Sequence, residues 1–101
     1  MTISDVAIKS GWIQVFNEKG KKVSEMNSTG RIVEGIASDF FVVSHSGWIQ
    51  TYDENCKKIS EMNAANKTVK GASGTTFVVK SGSWIQTFDR NCKKISERPG
   101  N

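Results

Sequence analysis

Hydrophobic and polar residues alternate with a period of two along most of the chain. In residues 84–88, with the sequence WIQTF, Trp, Gln and Phe fall on one face while Ile and Thr fall on the other. Such segments are rich in β-branched and aromatic residues, and Gly, Asn and Ser interrupt them regularly. The pattern predicts an all-β protein built from short strands, without helices.

The same pattern occurs three times at a spacing of 36 residues, with Trp-Ile-Gln beginning at Trp12, Trp48 and Trp84. Over the 14 residues that start at the Trp, the second copy matches the third at 12 positions and the first at 8. Self-similarity of this kind indicates tandem structural repeats. We therefore predict a single domain of three repeats, which cover about residues 1–38, 39–74 and 75–101.

Each repeat is predicted to be a meander of four short strands. An apolar strand such as 40–43 precedes the Trp strand, and a tight turn then leads to a Lys-Lys strand. The turn ends in Gly20 in the first copy and in Cys56 and Cys92 in the others, so we expect a positive φ at this position. A hairpin end is exposed, so we also expect both thiols to be accessible. A strand containing Gly and Ala, such as 31–37, links each repeat to the next. The third repeat lacks this fourth strand, which predicts eleven strands in all.

This four-stranded unit resembles a β-propeller blade, with a Gly- and Ala-bearing strand suited to a crowded centre and a Lys-rich strand suited to an outer edge. The aromatic-Asp pairs before the turn, Tyr52-Asp53 and Phe88-Asp89, are similar to blade hairpins of the NHL and WD40 kind. Propellers typically close with four to eight blades. The resemblance therefore implies that two copies of the chain form a six-bladed homodimer. A three-fold β-prism or β-trefoil is the alternative.

The composition fits one soluble globular domain, because 37% of the 101 residues are hydrophobic and 24% are charged. No apolar run approaches the roughly 20 residues that span a bilayer, and we see no signal peptide. Two cysteines at equivalent repeat positions are expected to lie too far apart for a disulfide. We therefore expect a cytoplasmic protein that does not bind a membrane.

The first candidate binding residues are Trp and Gln side chains that recur in every repeat. A Trp beside a Gln is able to stack on a ligand and to hydrogen-bond to it. The alternative is that each Trp is a packing anchor, which the alternation of Trp, Gln and Phe on one face favours. The pairs are Trp12 with Gln14, Trp48 with Gln50, and Trp84 with Gln86.

A second recurrent feature is a pair of lysines after each turn, which rotational symmetry would place on one rim. The net charge is +4, and repeated basic pairs are able to follow a phosphate backbone. However, a Glu lies three residues beyond the second Lys of each copy, which favours a solvated outer strand over nucleic-acid binding. The pairs are Lys21 with Lys22, Lys57 with Lys58, and Lys93 with Lys94.

Near-identical repeats distribute residues symmetrically, whereas catalysis usually requires an asymmetric cluster. His45 is the single histidine, and we see no catalytic triad, phosphate loop, metal-ligand cluster or cofactor motif. We therefore expect no enzyme activity, cofactor or metal. The sequence favours a binding or scaffold module for an unidentified protein or small molecule. A lectin that binds glycans at the Trp-Gln positions and a weak nucleic-acid-binding accessory protein that uses the lysine rim are the alternatives.

Overall fold

The computed structural model describes residues 3–100, which form eleven antiparallel strands and no helix. The predictions of an all-β protein and of eleven strands are therefore confirmed. In this part of the chain no helix is long and apolar enough to cross a membrane. The strands are β1 (Ile3–Lys9), β2 (Trp12–Asn17), β3 (Lys22–Asn27), β4 (Arg31–Ile36), β5 (Phe40–His45), β6 (Trp48–Asp53), β7 (Lys58–Asn63), β8 (Lys67–Ser73), β9 (Thr76–Ser81), β10 (Trp84–Asp89) and β11 (Lys94–Pro99).

The strands form three separate sheets, each of which is an antiparallel meander. The first sheet contains β1 to β3, the second β4 to β7 and the third β8 to β11, and in every sheet the spatial order follows the chain order. Strands β2, β6 and β10 begin with the three Trp residues and occupy equivalent places in the sheets. The fold thus consists of repeated strand units that do not close into one barrel.

The sheets are offset by one strand from the predicted repeats. The linking strands β4 and β8 pair with β5 and β9, which follow them, and so belong to the next sheet. A tight hairpin explains this pairing, because Ala37 N–H donates a hydrogen bond to Phe40 O across the turn at 2.8 Å. The three-stranded sheet is therefore the first one, whereas the sequence predicted that the last repeat would lack a strand.

The second sheet lies between the other two and is covered on both faces. Phe41 and Val43 of β5 join a core with the first sheet, whereas Phe40 and Val42 join a core with the third sheet. All four side chains are fully buried, which explains the unbroken apolar run in this strand. Two cores on opposite sides of one sheet do not fit the β-prism or β-trefoil alternative, in which every repeat would turn one face to a common core.

Successive sheets approach each other most closely at the edge strand with which each sheet begins, here called its inner strand. At this edge β4 lies against β8, and β1 approaches β4. Gly35 permits this approach, because a Cβ atom at this position would lie 3.0 Å from Ala72 N. Backbone hydrogen bonds also join the inner ends of the sheets. Ile3 N–H donates to Ser38 O at 2.7 Å, and Ser38 N–H donates to Gly74 O at 2.9 Å.

Candidate binding surfaces

The three tryptophans lie at one end of the stack of sheets, each at the first position of an equivalent strand. Their exposed fractions are 43% for Trp12, 41% for Trp48 and 46% for Trp84. In β6 the exposed Trp is followed at once by four buried residues, so the region covered by neighbouring sheets begins one residue beyond the indole. The tryptophans are therefore not core anchors, and the packing interpretation that the sequence favoured is wrong.

The glutamines of the predicted Trp-Gln pairs lie deeper in the stack than the indoles. Gln50 is 8% exposed, and its Nε2 donates to Glu61 Oε1 at 3.1 Å while its Oε1 accepts from Tyr52 Oη at 2.8 Å. Gln14 Nε2 donates to Glu25 Oε1 at 3.4 Å. Gln86 Oε1 is buried without a hydrogen-bond partner among the described residues. Gln50 thus serves contacts within its own sheet, and it is the indoles that face solvent.

Each exposed Trp lies in a row of residues that crosses its sheet, and the other members of the three rows are polar except for Pro99. Trp48 pairs with His45 on one side and with Asn63 on the other, and Arg31 continues the row. Arg31 Nη1 donates to Asn27 O at 2.9 Å and so joins this row to the row of the first sheet. The other rows are Lys9, Trp12 and Asn27 in the first sheet, and Lys67, Ser81, Trp84 and Pro99 in the third.

We call these three rows the tryptophan rim. Sequence reasoning missed its flanking residues, although the 36-residue spacing was an available signal. Asn27 and Asn63 are separated by this interval, and so are Arg31 and Lys67. Each row therefore contains an indole and a cationic side chain, which are direct neighbours in the first sheet and lie two strands apart in the second and third. An amide lies beside the indole in the first two sheets.

The predicted lysine pairs lie at the opposite end of the Trp strands, and their second members form ion pairs. Lys22 Nζ lies 2.9 Å from Glu25 Oε1, Lys58 Nζ lies 3.0 Å from Glu61 Oε1, and Lys94 pairs with Glu97 in the same way. Hydrogen bonds from these lysines hold the pKa of Glu25 and of Glu61 below the usual value. Exposed pairs of this kind add little stability. Each pair places a carboxylate next to a lysine and so dilutes the positive charge of the lysine rim.

The turn after each Trp strand is here called the tip of its sheet. The tips of the second and third sheets dock onto the sheet that precedes them. The tips comprise residues 17–20, 53–56 and 89–92. At the first junction, Ser24 Oγ donates to Glu54 O at 2.5 Å and lies 3.2 Å from Cys56 Sγ. The last tip residues, Gly20, Cys56 and Cys92, have φ values of 75°, 61° and 60°, so the predicted positive φ is confirmed.

The second junction resembles the first, because hydroxyl groups again donate to carbonyl oxygens of the tip. Thr51 Oγ1 donates to Arg90 O at 2.6 Å, and Ser60 Oγ donates to Asn91 O at 3.0 Å. Arg90 Nη1 also forms an ion pair with Asp39 Oδ2 at 2.6 Å. The tips of the second and third sheets are thus held by hydroxyl groups of the sheet before them, which donate to tip carbonyl oxygens.

Both cysteines are half-buried and free, because the tips that carry them sit in these junctions. Cys56 packs against the core between the first two sheets, and Cys92 packs against the other core. Burial raises the pKa of both thiols above the ordinary value. The sequence suggested exposed thiols at a hairpin end, and that interpretation is wrong because each hairpin end is covered by the neighbouring sheet.

We expect iodoacetamide to alkylate both thiols several-fold more slowly in the native protein than in the denatured protein at pH 8. Access is restricted, and the raised pKa leaves a smaller thiolate fraction at this pH. The native rate should increase with pH through a higher midpoint than the denatured rate. Mass spectrometry of timed samples measures both rates, and equal rates in the two states would contradict the buried junction.

The comparisons with known proteins identify no family. No protein-family model and no curated protein sequence matches the chain. The tryptophan rim exposes indole rings that are able to stack on another group, and the same rows carry amide and cationic groups that are able to form hydrogen bonds and supply charge.

Proposed function

We propose that the chain is a non-enzymatic binding module that takes its ligand on the tryptophan rim. The observation that carries this proposal is the exposure of three repeat-equivalent indoles at one end of the stack, each by more than 40% of its surface. Large exposed aromatic side chains commonly mark interaction sites, and Trp is enriched among residues that dominate binding energy. Three equivalent rows favour multivalent binding, in which each row contacts one copy of a small molecule or one part of a protein.

The amides beside the indoles favour a glycan as the second candidate ligand. Asn63 lies next to Trp48 in its row, and Asn27 lies next to Trp12. An indole face stacks on the apolar face of a sugar ring, while an amide both donates hydrogen bonds to hydroxyl groups and accepts them. This lectin-like function uses the Trp positions predicted from the sequence, with the neighbouring Asn residues in place of the glutamines.

Replacing Trp48 by Ala should weaken ligand binding by about tenfold or more, and replacing all three tryptophans should abolish it. The variants should stay folded, because a half-exposed side chain contributes less to stability than the roughly 3–5 kcal/mol of a fully buried aromatic. A glycan array and a proteome-wide protein array would supply the ligand, and a fluorescence titration would supply its affinity.

The matched control is Asn55→Ala, an exposed change in the tip at the other end of the same sheet. It should bind like the unchanged protein. A triple Trp variant that is folded and binds with unchanged affinity would overturn the rim as the binding site. Binding to a generic oligonucleotide that weakens steeply with salt would instead support the lysine rim.

We also propose that the stack is an open part of a propeller-like ring, which a second copy completes to six blades. The approach of the inner strands β4 and β8 supports a radial arrangement, and the first and third sheets each keep one face uncovered. A monomeric mass near 11.1 kDa at every concentration would reject this pairing without affecting the rim. Free thiols suit a reducing compartment, so we place the module in the cytoplasm.

A further inference from the structure

We propose that the open face of the third sheet is the docking site for the first sheet of a second copy of this chain. This docking rests on the proposed pairing of two copies, and the following surfaces would meet in it. The open face carries Val78, Ile85, Thr87 and Ser96, and the surface that docks on it carries Ala7 and the tip 17–20. The contact is head-to-tail, because two different surfaces of the chain meet in it.

Most positions on the open face are more deeply buried in the second sheet, which a further sheet follows. Thr51 is fully buried beneath the third sheet, whereas its counterpart Thr87, 36 residues later, is half-exposed. Ile59 packs against the core between the second and third sheets, whereas its counterpart Ile95 is 58% exposed. Val42 and Ile49 are likewise buried, and their counterparts Val78 and Ile85 are only half-buried. The third sheet therefore presents part of the surface that the second uses to hold its neighbour, with Thr76 and Arg98 at the repeat positions of Phe40 and Met62.

The first sheet has the complementary open surface. Val43 and Val79 are fully buried against a preceding sheet, and their counterpart Ala7 lies on a face that no sheet of the described residues covers. The tip 17–20 likewise has no preceding sheet. The carbonyl oxygens of its middle residues, Glu18 and Lys19, correspond by repeat to those of Arg90 and Asn91, which accept hydrogen bonds from Thr51 and Ser60. Thr87 and Ser96 of a second copy would donate to this tip in the same way.

Charge favours head-to-tail contact over contact between two third sheets. Lys70, Lys80 and Arg98 line a hollow of about 250 Å³ on the third sheet, together with Ile85 and Gly100. Two such faces would repel each other. The open face of the first sheet instead carries Asp5, at the repeat position where Phe41 and Phe77 are buried in the other sheets. Lys9 shares this face by strand alternation, so the face carries charges of both signs and repels the basic hollow less than a second basic face would.

Each copy offers one surface of each kind, so two copies make two identical junctions and leave neither surface open. The first tip ends in Gly20, which lacks the side chain that Cys56 and Cys92 place in the junctions within the chain. The contact between copies is therefore smaller than those within one chain, and the dimer should dissociate on dilution before the chain unfolds.

The test uses two variants. Ala7→Arg places a bulky cation on the open face of the first sheet, and Thr87→Arg places one on the open face of the third sheet. At concentrations where the unchanged chain is a dimer of about twice 11.1 kDa, each variant alone should be a folded monomer in analytical ultracentrifugation. A mixture of the two should form dimers, because the third sheet of the Ala7→Arg copy still fits the first sheet of the Thr87→Arg copy. Thr29→Arg, an exposed loop change outside both surfaces, should leave the dimer unchanged.

The other outcomes separate this inference from the pairing on which it rests. A dimer that Thr87→Arg disrupts and Ala7→Arg does not would show pairing between two third sheets and would overturn the head-to-tail contact. Two folded monomeric variants that do not associate when mixed would overturn it as well. If the unchanged chain is a monomer at every concentration, both the pairing of two copies and the head-to-tail contact are rejected. If an Arg variant fails to fold, Asp5→Lys at an exposed position replaces it, and unweakened association of that variant would count against the inference.

Discussion

Phe77→Ala should lower the free energy of unfolding by about 3–5 kcal/mol, the usual range for truncation of a buried aromatic side chain. Phe77 is fully buried between the second and third sheets. Its ring stacks on Phe88 with the centroids 5.5 Å apart and meets Phe40 edge-on at 6.2 Å. Because these two partners belong to different sheets, the cavity would open in the contact that holds the sheets together. A denaturant titration followed by circular dichroism measures the loss.

The matched control is Phe16→Ala, which removes the same atoms from the first sheet. Phe16 occupies the repeat position of Phe88, yet it is only half-buried because no sheet of the described residues covers its face. Its truncation should cost less than half as much in dilute solution, where the chain is monomeric. Equal losses for the two variants would contradict the assignment of the core between the second and third sheets.

Gly35→Ala should destabilise the fold by about 1–3 kcal/mol, as expected when atoms are added at a tightly packed position. The added Cβ would lie 3.0 Å from Ala72 N and 3.1 Å from Ala72 Cβ. The first of these neighbours is backbone and cannot rotate away. The inner strands β4 and β8 would therefore have to separate, which weakens the contact between the second and third sheets along its whole inner edge.

A double-mutant cycle with Ala72→Gly tests this cause directly. Ala72→Gly removes the Cβ atom that the new side chain would meet, so Gly35→Ala should cost less in that background than in the unchanged protein. Some cost should persist, because the backbone nitrogen stays in place. Strictly additive losses would show that the two strands do not crowd each other at this point.

The fold class was predictable from the sequence because its signals are local. The period-two pattern of residues 84–88 shows which side chains share a face. The occurrence of Gly20 at the repeat position of Cys56 and Cys92 predicts the positive φ of the tips. The sheet to which a linking strand belongs is not local information. Residues 31–37 lie between two possible partner strands, and the hairpin closed by Ala37 and Phe40 decides between them.

The candidate site was only half predictable, for a related reason. Alternation puts Trp48 and Gln50 on the same face, but it does not say where the cover from the neighbouring sheet begins along the strand. That boundary leaves the Trp exposed and buries the Gln, although they are two residues apart. Cys92 shows the same effect in reverse, since a hairpin end was expected in solvent and the neighbouring sheet covers it.

The cores and the tip contacts join each sheet to the next one along the chain, so the fold is thermodynamically a one-dimensional array. In such an array every additional repeat contributes one new junction, whereas the number of uncovered ends stays at two. Stability per residue therefore rises as copies are added, and lengthening by internal gene duplication is favoured at each step. The identity of the second and third copies at 12 of 14 positions is what a late duplication of this kind leaves behind.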